Sequence, residues 1–266
     1  MLNPLSRRQV TIGLCTCGAA GLLGGHADAD SQRGGGCNLS AAEYKSIVAP
    51  TAQRFAFAAQ GAGVERSSGS SGDRLFDQAL AITLAKLSKT FGVLPSFSFF
   101  TEEKGSNAYF CYADRTPDRP DGAVAYGRKL LKEQTSDGVI NIGFVVGVCA
   151  HEFAHTLQHK RGTTDKLINM SNGNAFRNEL HADFLAGYFG GVRKLEKSDF
   201  PAAEIAFGVY GLGDTYYDEL DHHGTPEQRG EAARQGFKQA YESKVSLDEA
   251  FEIGFQYAKA QKLLKP

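Results

Sequence analysis

His151-Glu152-Phe153-Ala154-His155 sits in the apolar run from Val139 to Leu157 and is followed by Glu179-Leu180-His181-Ala182-Asp183. Two imidazoles and two carboxylates at these spacings are a donor set for a divalent metal that activates water. With seven His and fifteen Glu in 266 residues, a His-Glu-x-x-His string arises by chance about 0.01 times per chain of this composition. Chance is a poor account of it.

On a helix at ~100° per residue, His155 lies ~40° around from His151 and ~6 Å along the axis, so both rings can reach one ion. Glu152 falls ~100° from His151 and ~60° from His155, at the edge of that face. There its carboxylate is better placed to hold a water molecule than to ligate, which is the role of a general base. Ile140, Ile142, Phe144, Val145, Val146 and Val148 make the preceding stretch apolar all round, so the helix is expected to be buried and the cleft poorly solvated.

A hydrolytic zinc takes a third protein ligand and keeps one position open. Glu179, 24 residues after His155, is the expected third ligand. Asp183, at i+4 from Glu179, shares its face and is placed to accept the N–H of a ligating His. His181 is the alternative ligand, although on a helix it points roughly opposite to Glu179. His159 shares the face of His151 but lies ~12 Å along the axis, so it is expected behind the site or at the surface. Reading His151 and His155 as ordinary core histidines would leave Glu152 without a partner in an apolar helix, a costly arrangement. The oxyanion that develops on a scissile carbonyl needs a donor. His223 is the first candidate, ahead of His222, Tyr216, Tyr217 and Arg229. The plainer reading makes His223-Gly224 a helix-entry turn, with Arg229 paired to Glu227 or Asp221.

His151 to His155, Glu179 to Gly187 and His223-Gly224-Thr225-Pro226-Glu227-Gln228-Arg229 together resemble the neutral zinc metallopeptidases of bacteria and, more broadly, the gluzincin peptidases. The resemblance covers residues 151 to 229 and contributes little over 40 to 120. It implies one zinc per chain on His151, His155 and Glu179, Glu152 as base, Asp183 behind a His ligand, and a peptide or protein substrate. His181 and Phe184 stand where that family often has Gln or Cys, and neither is a proposed ligand. Asn107-Ala108-Tyr109 followed by Ala123 to Tyr126 resembles, more weakly, the edge-strand region of gluzincins.

The elements that must position these groups are mostly helical. Ser40-Ala41-Ala42-Glu43 is a capping box opening a helix to about Gln60. Asp73 caps a second helix, with Leu75, Phe76, Ala79, Leu80, Leu84, Leu87 and Phe91 as its buried stripe. Phe97, Phe99 and Tyr109 to Tyr112 read as strands of a hairpin split at Glu102 to Asn107, and Ala123 to Tyr126 as a further strand. This small sheet is where an extended substrate would be held by strand addition. Helices follow at about 139–160, 174–194, 199–211, 226–243 and 247–264. The expected fold is α+β: a mostly helical, zincin-like domain over residues 40–266, with a small β-sheet and a central His-Glu-x-x-His helix.

The two ends bear on compartment. Ser6-Arg7-Arg8, a short weakly apolar stretch and Ala27-Asp28-Ala29 read as a signal peptide over residues 1–29 of the twin-arginine type, a Sec signal being the alternative. Leu14 and Thr16 are poor residues to precede a lipidated Cys15 or Cys17. Residues 30–39, with Gly34-Gly35-Gly36, read as a flexible leader. Losing residues 1–29 moves the net charge from −1 to −2, so no basic excess points to nucleic acid or anionic lipid. No segment is long and apolar enough for stable membrane insertion. Cys37, Cys111 and Cys149 remain; the first two could form a disulfide in an oxidising compartment and Cys149 is expected as a buried thiol. The expectation is an exported zinc metallopeptidase, periplasmic or secreted. The alternatives are a zinc amidase acting on cell-wall peptides and a non-catalytic periplasmic binding or assembly module clamped by zinc.

Overall fold

Ser40 and Glu43 do form a capping box, but the helix they open, α1, covers only Ala41–Ile47 and stops far short of Gln60. Pro50 has no N–H to continue it and disfavours helical geometry at Ala49. The chain then extends: Gln53–Arg54 (β1) pairs antiparallel with Ser98 and Phe99, and Phe55 and Phe57 are buried in the core. A computed structural model describes residues 37–58, 68–136, 138–214 and 219–263. The expected signal segment, the leader through Gly36, part of the Gly61 to Gly72 loop, and Tyr216 and Tyr217 lie outside the described residues.

Helix α2 (Arg74–Phe91) starts where Asp73 accepts the N–H groups of Leu75 and Phe76, and ends at Gly92 with φ 63°. Phe76, Leu80, Leu84, Leu87 and Phe91 form its buried stripe; Leu75 is exposed instead. Strands β2 (Ser96–Phe100), β3 (Ala108–Cys111) and β4 (Ala123–Gly127) join β1 in a sheet of order β1-β2-β4-β3. The expected hairpin between the first two runs does not form: β4 enters between them, parallel to β2 and antiparallel to β3. Glu102 explains the detour. Its carboxylate accepts the N–H groups of Lys129 and Leu130, capping α3 (Arg128–Glu133), so the segment after β2 crosses the end of β4 rather than turning back on β2. A Cβ on Gly127 would meet Glu102 Oε1 at 1.8 Å, so only glycine admits the crossing.

Side chains alternate across the sheet. Phe97, Phe99, Phe110, Val124 and Tyr126 join the main core with α2. Phe100, Tyr109, Cys111, Ala123 and Ala125 face Leu39 and the α1 residue Tyr44, with Val48 just beyond that helix. A two-stranded ribbon, β5 (Thr135–Ser136) and β6 (Val139–Ile140), takes the first residues of the expected central helix. Asn141 then accepts the Phe144 N–H and opens α4 (Ile142–Lys160), buried continuously from Gly143 to Gln158.

Helices α5 (Thr164–Asn169), α6 (Phe176–Glu196), α7 (Ala202–Tyr210), α8 (Pro226–Tyr241) and α9 (Leu247–Ala260) complete the described residues. The capping boxes at Thr225 and Ser246 are formed. The architecture is α+β, helices around a small mixed sheet. Helix α6 is central among the helices, packing on α4, α7, α8 and α9. Its approach to α8 is close because the contact residues have no Cβ: on Gly187 one would lie 1.9 Å from Ala233 O, and on Gly236 one would lie 1.7 Å from Phe184 O.

Because both partners of that contact are backbone, Gly236→Ala is expected to destabilise the protein by at least about 2 kcal/mol. Urea melts followed by circular dichroism measure it; an unchanged midpoint would mean that the two helices do not meet this closely.

Candidate metal centre

Helix α4 contributes His151, Glu152 and His155, and α6 contributes Glu179 and Asp183, all buried. His151 Nε2 lies 2.9 Å from Glu179 Oε2 and 3.0 Å from His155 Nε2, while His155 Nε2 lies 3.4 Å from Glu179 Oε1. The imidazole rings stand 4.5 Å apart at 86°. Ligand atoms around a tetrahedral zinc with bonds of 2.0–2.1 Å lie about 3.3 Å from one another, close to these separations.

The outer hydrogen bonds decide what faces inward. Asp183 Oδ1 is 2.8 Å from His151 Nδ1, so that nitrogen carries the proton and Nε2 carries a lone pair. Gln158 Nε2 donates to Asn178 O at 2.8 Å, which turns Gln158 Oε1 to His155 Nδ1 at 2.7 Å. His155 Nε2 is therefore a lone pair as well. In these tautomers two imidazole lone pairs and a carboxylate meet at one buried point, an arrangement that positive charge there relieves, whether from a metal ion or from a proton on His151. The donor set of two His and one Glu fits zinc.

Behind Asp183 stands Arg229 of α8, its Nε 2.7 Å from Oδ2 and its second terminal nitrogen 2.8 Å from Oδ1. This fork is wholly buried, and Leu212 O accepts a third bond from the same guanidinium at 3.1 Å. Arg229 thus pairs with neither Glu227 nor Asp221, and its guanidinium is committed to Asp183 rather than to an oxyanion. The pairing raises the Arg229 pKa in spite of burial.

Burial pulls the His151 pKa down, but Asp183 and Glu179 outweigh it and the net shift is upward. Burial acts to raise Glu179, yet His155 and His151 hold it well below the usual carboxylate range. Glu152 goes the other way. Burial pushes it up to about 8, Glu179 adds to the rise, and His155 and a hydrogen bond from Cys37 oppose it. Its Oε2 is buried with no hydrogen-bond partner, as expected of a carboxylate positioned for a small molecule the protein itself does not supply.

His181 is not part of this cluster. Its Nε2 donates to Phe251 O at 3.1 Å and its ring meets Phe251 edge-on at 4.7 Å. His159 stacks on Tyr112 at 3.7 Å. His223 is held by Asp214, which accepts its backbone N–H at 2.9 Å and lies 3.1 Å from its Nδ1; His222 also hydrogen-bonds Asp214. No disulfide joins Cys37 and Cys111: both are buried thiols, as is Cys149. Cys111 faces the α1 side of the sheet, whereas Cys37 is buried beside the two histidines and Glu179. Its backbone N–H points at Glu179 Oε1, 3.3 Å away, and its sulfur is one of four ligating atoms, with those of His151, His155 and Glu179, that all lie within 4.8 Å of one another.

No protein-family model, curated protein or solved structure matches the chain. The site therefore stands on its own geometry. Sequence reasoning brought His151, Glu152, His155, Glu179 and Asp183 to one place, and so does the fold. It missed the roles of Gln158, Arg229 and Asp214 and misassigned Cys37. Gln158 carried a signal, being at i+3 from His155 on the same helix. Cys37 is 114 residues from His151, so nothing local connects them.

Asp183→Asn replaces the charged acceptor behind His151 by a neutral amide with one acceptor oxygen, Gln158→Met removes the acceptor behind His155, and each is expected to weaken zinc binding about 10- to 100-fold in competition with a chromophoric chelator. Asp183→Asn also leaves Arg229 buried without its counter-charge, so it is expected to lower stability by about 3–5 kcal/mol, more than the loss of the Gln158 bond to Asn178 O. Equal zinc affinity in Gln158→Met and wild type would show that Gln158 does not orient the ring.

Proposed function

We propose that the chain is an exported zinc-dependent metallopeptidase with a zincin-like fold. The observation that carries the reading is the convergence of two imidazole lone pairs and the Glu179 carboxylate beside a second buried carboxylate, Glu152, whose Oε2 has no protein partner. A site that served only to clamp helices has no use for Glu152. The resemblance to bacterial neutral zinc metallopeptidases and gluzincins agrees with this assignment, as does the expected signal peptide with a periplasmic or secreted location.

In this reading His151, His155 and Glu179 hold one zinc, which supplies Lewis-acid activation of water and of the scissile carbonyl. Glu152 takes a proton from the attacking water and delivers it to the leaving amine. Asp183 and Gln158 keep each imidazole in the tautomer that presents its lone pair. His223, with its backbone N–H and Nδ1 held by Asp214, is the residue we assign to the developing oxyanion, a role it fills with both ring nitrogens protonated. The substrate, a peptide or protein, is held along β3, the sheet edge that packs beside α4, through main-chain hydrogen bonds. A zinc amidase on cell-wall peptides would use the same groups.

One observation favours a different reading. A fourth protein ligand at Cys37 would close the zinc site, as in structural sites, and would suit a zinc-clamped binding or assembly module.

In a Cys37→Ala background, where no fourth ligand masks the result, adding Glu152→Gln is expected to retain one zinc per chain and to lose peptide cleavage by about 100-fold or more, read by mass spectrometry on a mixed peptide library beside Cys37→Ala of equal zinc content. Cleavage at the parental rate would remove Glu152 from the chemistry.

A further inference from the structure

Cys37, Asn38 and Leu39 were expected in a flexible leader, yet all three are buried. They lie along the outer side of β3: Asn38 forms a parallel bridge with Phe110, the Phe110 N–H donates to Cys37 O at 3.0 Å, and the Leu39 N–H donates to Phe110 O at 2.8 Å. Both outward backbone groups of Phe110 are thereby used. Any extended peptide pairing with the same edge would have to displace these residues, since an edge strand offers one set of hydrogen-bonding groups.

The segment is anchored on its C-terminal side. Leu39, Tyr44 and Val48 are packed against Phe100, Tyr109 and Cys111, and the Ser40 capping box opens α1 directly after it. Cys37 is thus held three residues from a fixed helix start, with its N–H on Glu179 and its thiol hydrogen-bonded to the Glu152 carboxylate. The sulfur lies among the proposed ligand atoms of His151, His155 and Glu179, all within 4.8 Å of one another.

We infer that Cys37 is a fourth, inhibitory ligand and that Cys37–Leu39 is an internal lock on the cleft, so that the chain carrying it is latent; this rests on the metallopeptidase reading above. On metal binding the Cys37 S–H bond breaks, its proton is released to solvent, and the thiolate sulfur takes the position that water would otherwise hold. The segment thereby removes two requirements of hydrolysis, the open coordination position and the vacant sheet edge. Preorganisation makes this ligand strong, because the flanking hydrogen bonds have already met the cost of ordering it. Activation requires the Cys37 sulfur to leave the metal; residues 37–39, then held to β3 only by backbone hydrogen bonds and the Leu39 contacts, give up the edge to a competing peptide.

The test uses the full chain, loaded with one Co(II) per chain for spectroscopy and one Zn(II) for activity, as wild type, Cys37→Ala and Cys37→Ser. Wild type is expected to show a near-ultraviolet thiolate-to-Co(II) charge-transfer band, and both variants to lose it while retaining one metal and a cooperative melt. The zinc forms of the variants are expected to cleave a mixed peptide library at least about 100-fold faster than wild type. Absence of the band in metal-loaded wild type overturns the proposal whatever the peptide result. Presence of the band with equal cleavage by all three forms overturns the lock. Loss of the band in the variants with no cleavage by any form upholds the ligand and sinks the peptidase reading instead.

Discussion

Asp183 is the group on which the rest of the site depends. Its carboxylate takes the His151 Nδ1–H on one side and the Arg229 fork on the other, with none of the three side chains exposed. A buried carboxylate is tolerable only when its charge and lone pairs are matched, and here the matches come from three helices, α4, α6 and α8. The glycines at the α6–α8 crossing let the backbones come close enough for Arg229 to reach. Packing and electrostatics are one constraint: move α8 outward by the width of a methyl group and Arg229 no longer satisfies Asp183, which no longer orients His151.

Around that axis the site is an island of polarity inside an apolar core. Glu179 and Glu152 sit close together, yet their proton affinities diverge: two histidines pull the first well down and burial pushes the second up to about 8. Two carboxylates separated in this way are suited to different tasks, one to stay ionised and ligate, the other to exchange a proton near neutrality. A bound cation would strengthen this division, because it adds positive charge to a region that has little solvent to screen it.

The sheet matters mainly through its edge. Among the described strands β3 is the sheet edge that packs beside α4, and the crossing of the chain over the end of β4, closed by Glu102 and Gly127, places it there. That edge is where a peptide would be held and where Cys37–Leu39 lies. On the proposed reading, a substrate peptide would compete with Cys37 and Leu39 for the same two backbone groups of Phe110.

The local chain by itself determined a good deal. Helical periodicity brought His151 and His155 to one face; i+4 spacing put Glu179 and Asp183 together; the boxes at Ser40, Thr225 and Ser246 set three helix starts. These depend on interactions within a few residues, which sequence displays. Pro50 is equally visible in the sequence, and α1 ends before it, at Ile47. Tertiary structure alone decided the insertion of β4, the pairing of Arg229 with Asp183, the loss of His181 to Phe251 and the arrival of Cys37 at Glu152 and Glu179. Each joins residues distant in the chain, and each is settled by which partner satisfies a buried polar group once the helices have packed. Spacing along the sequence carries no record of that competition.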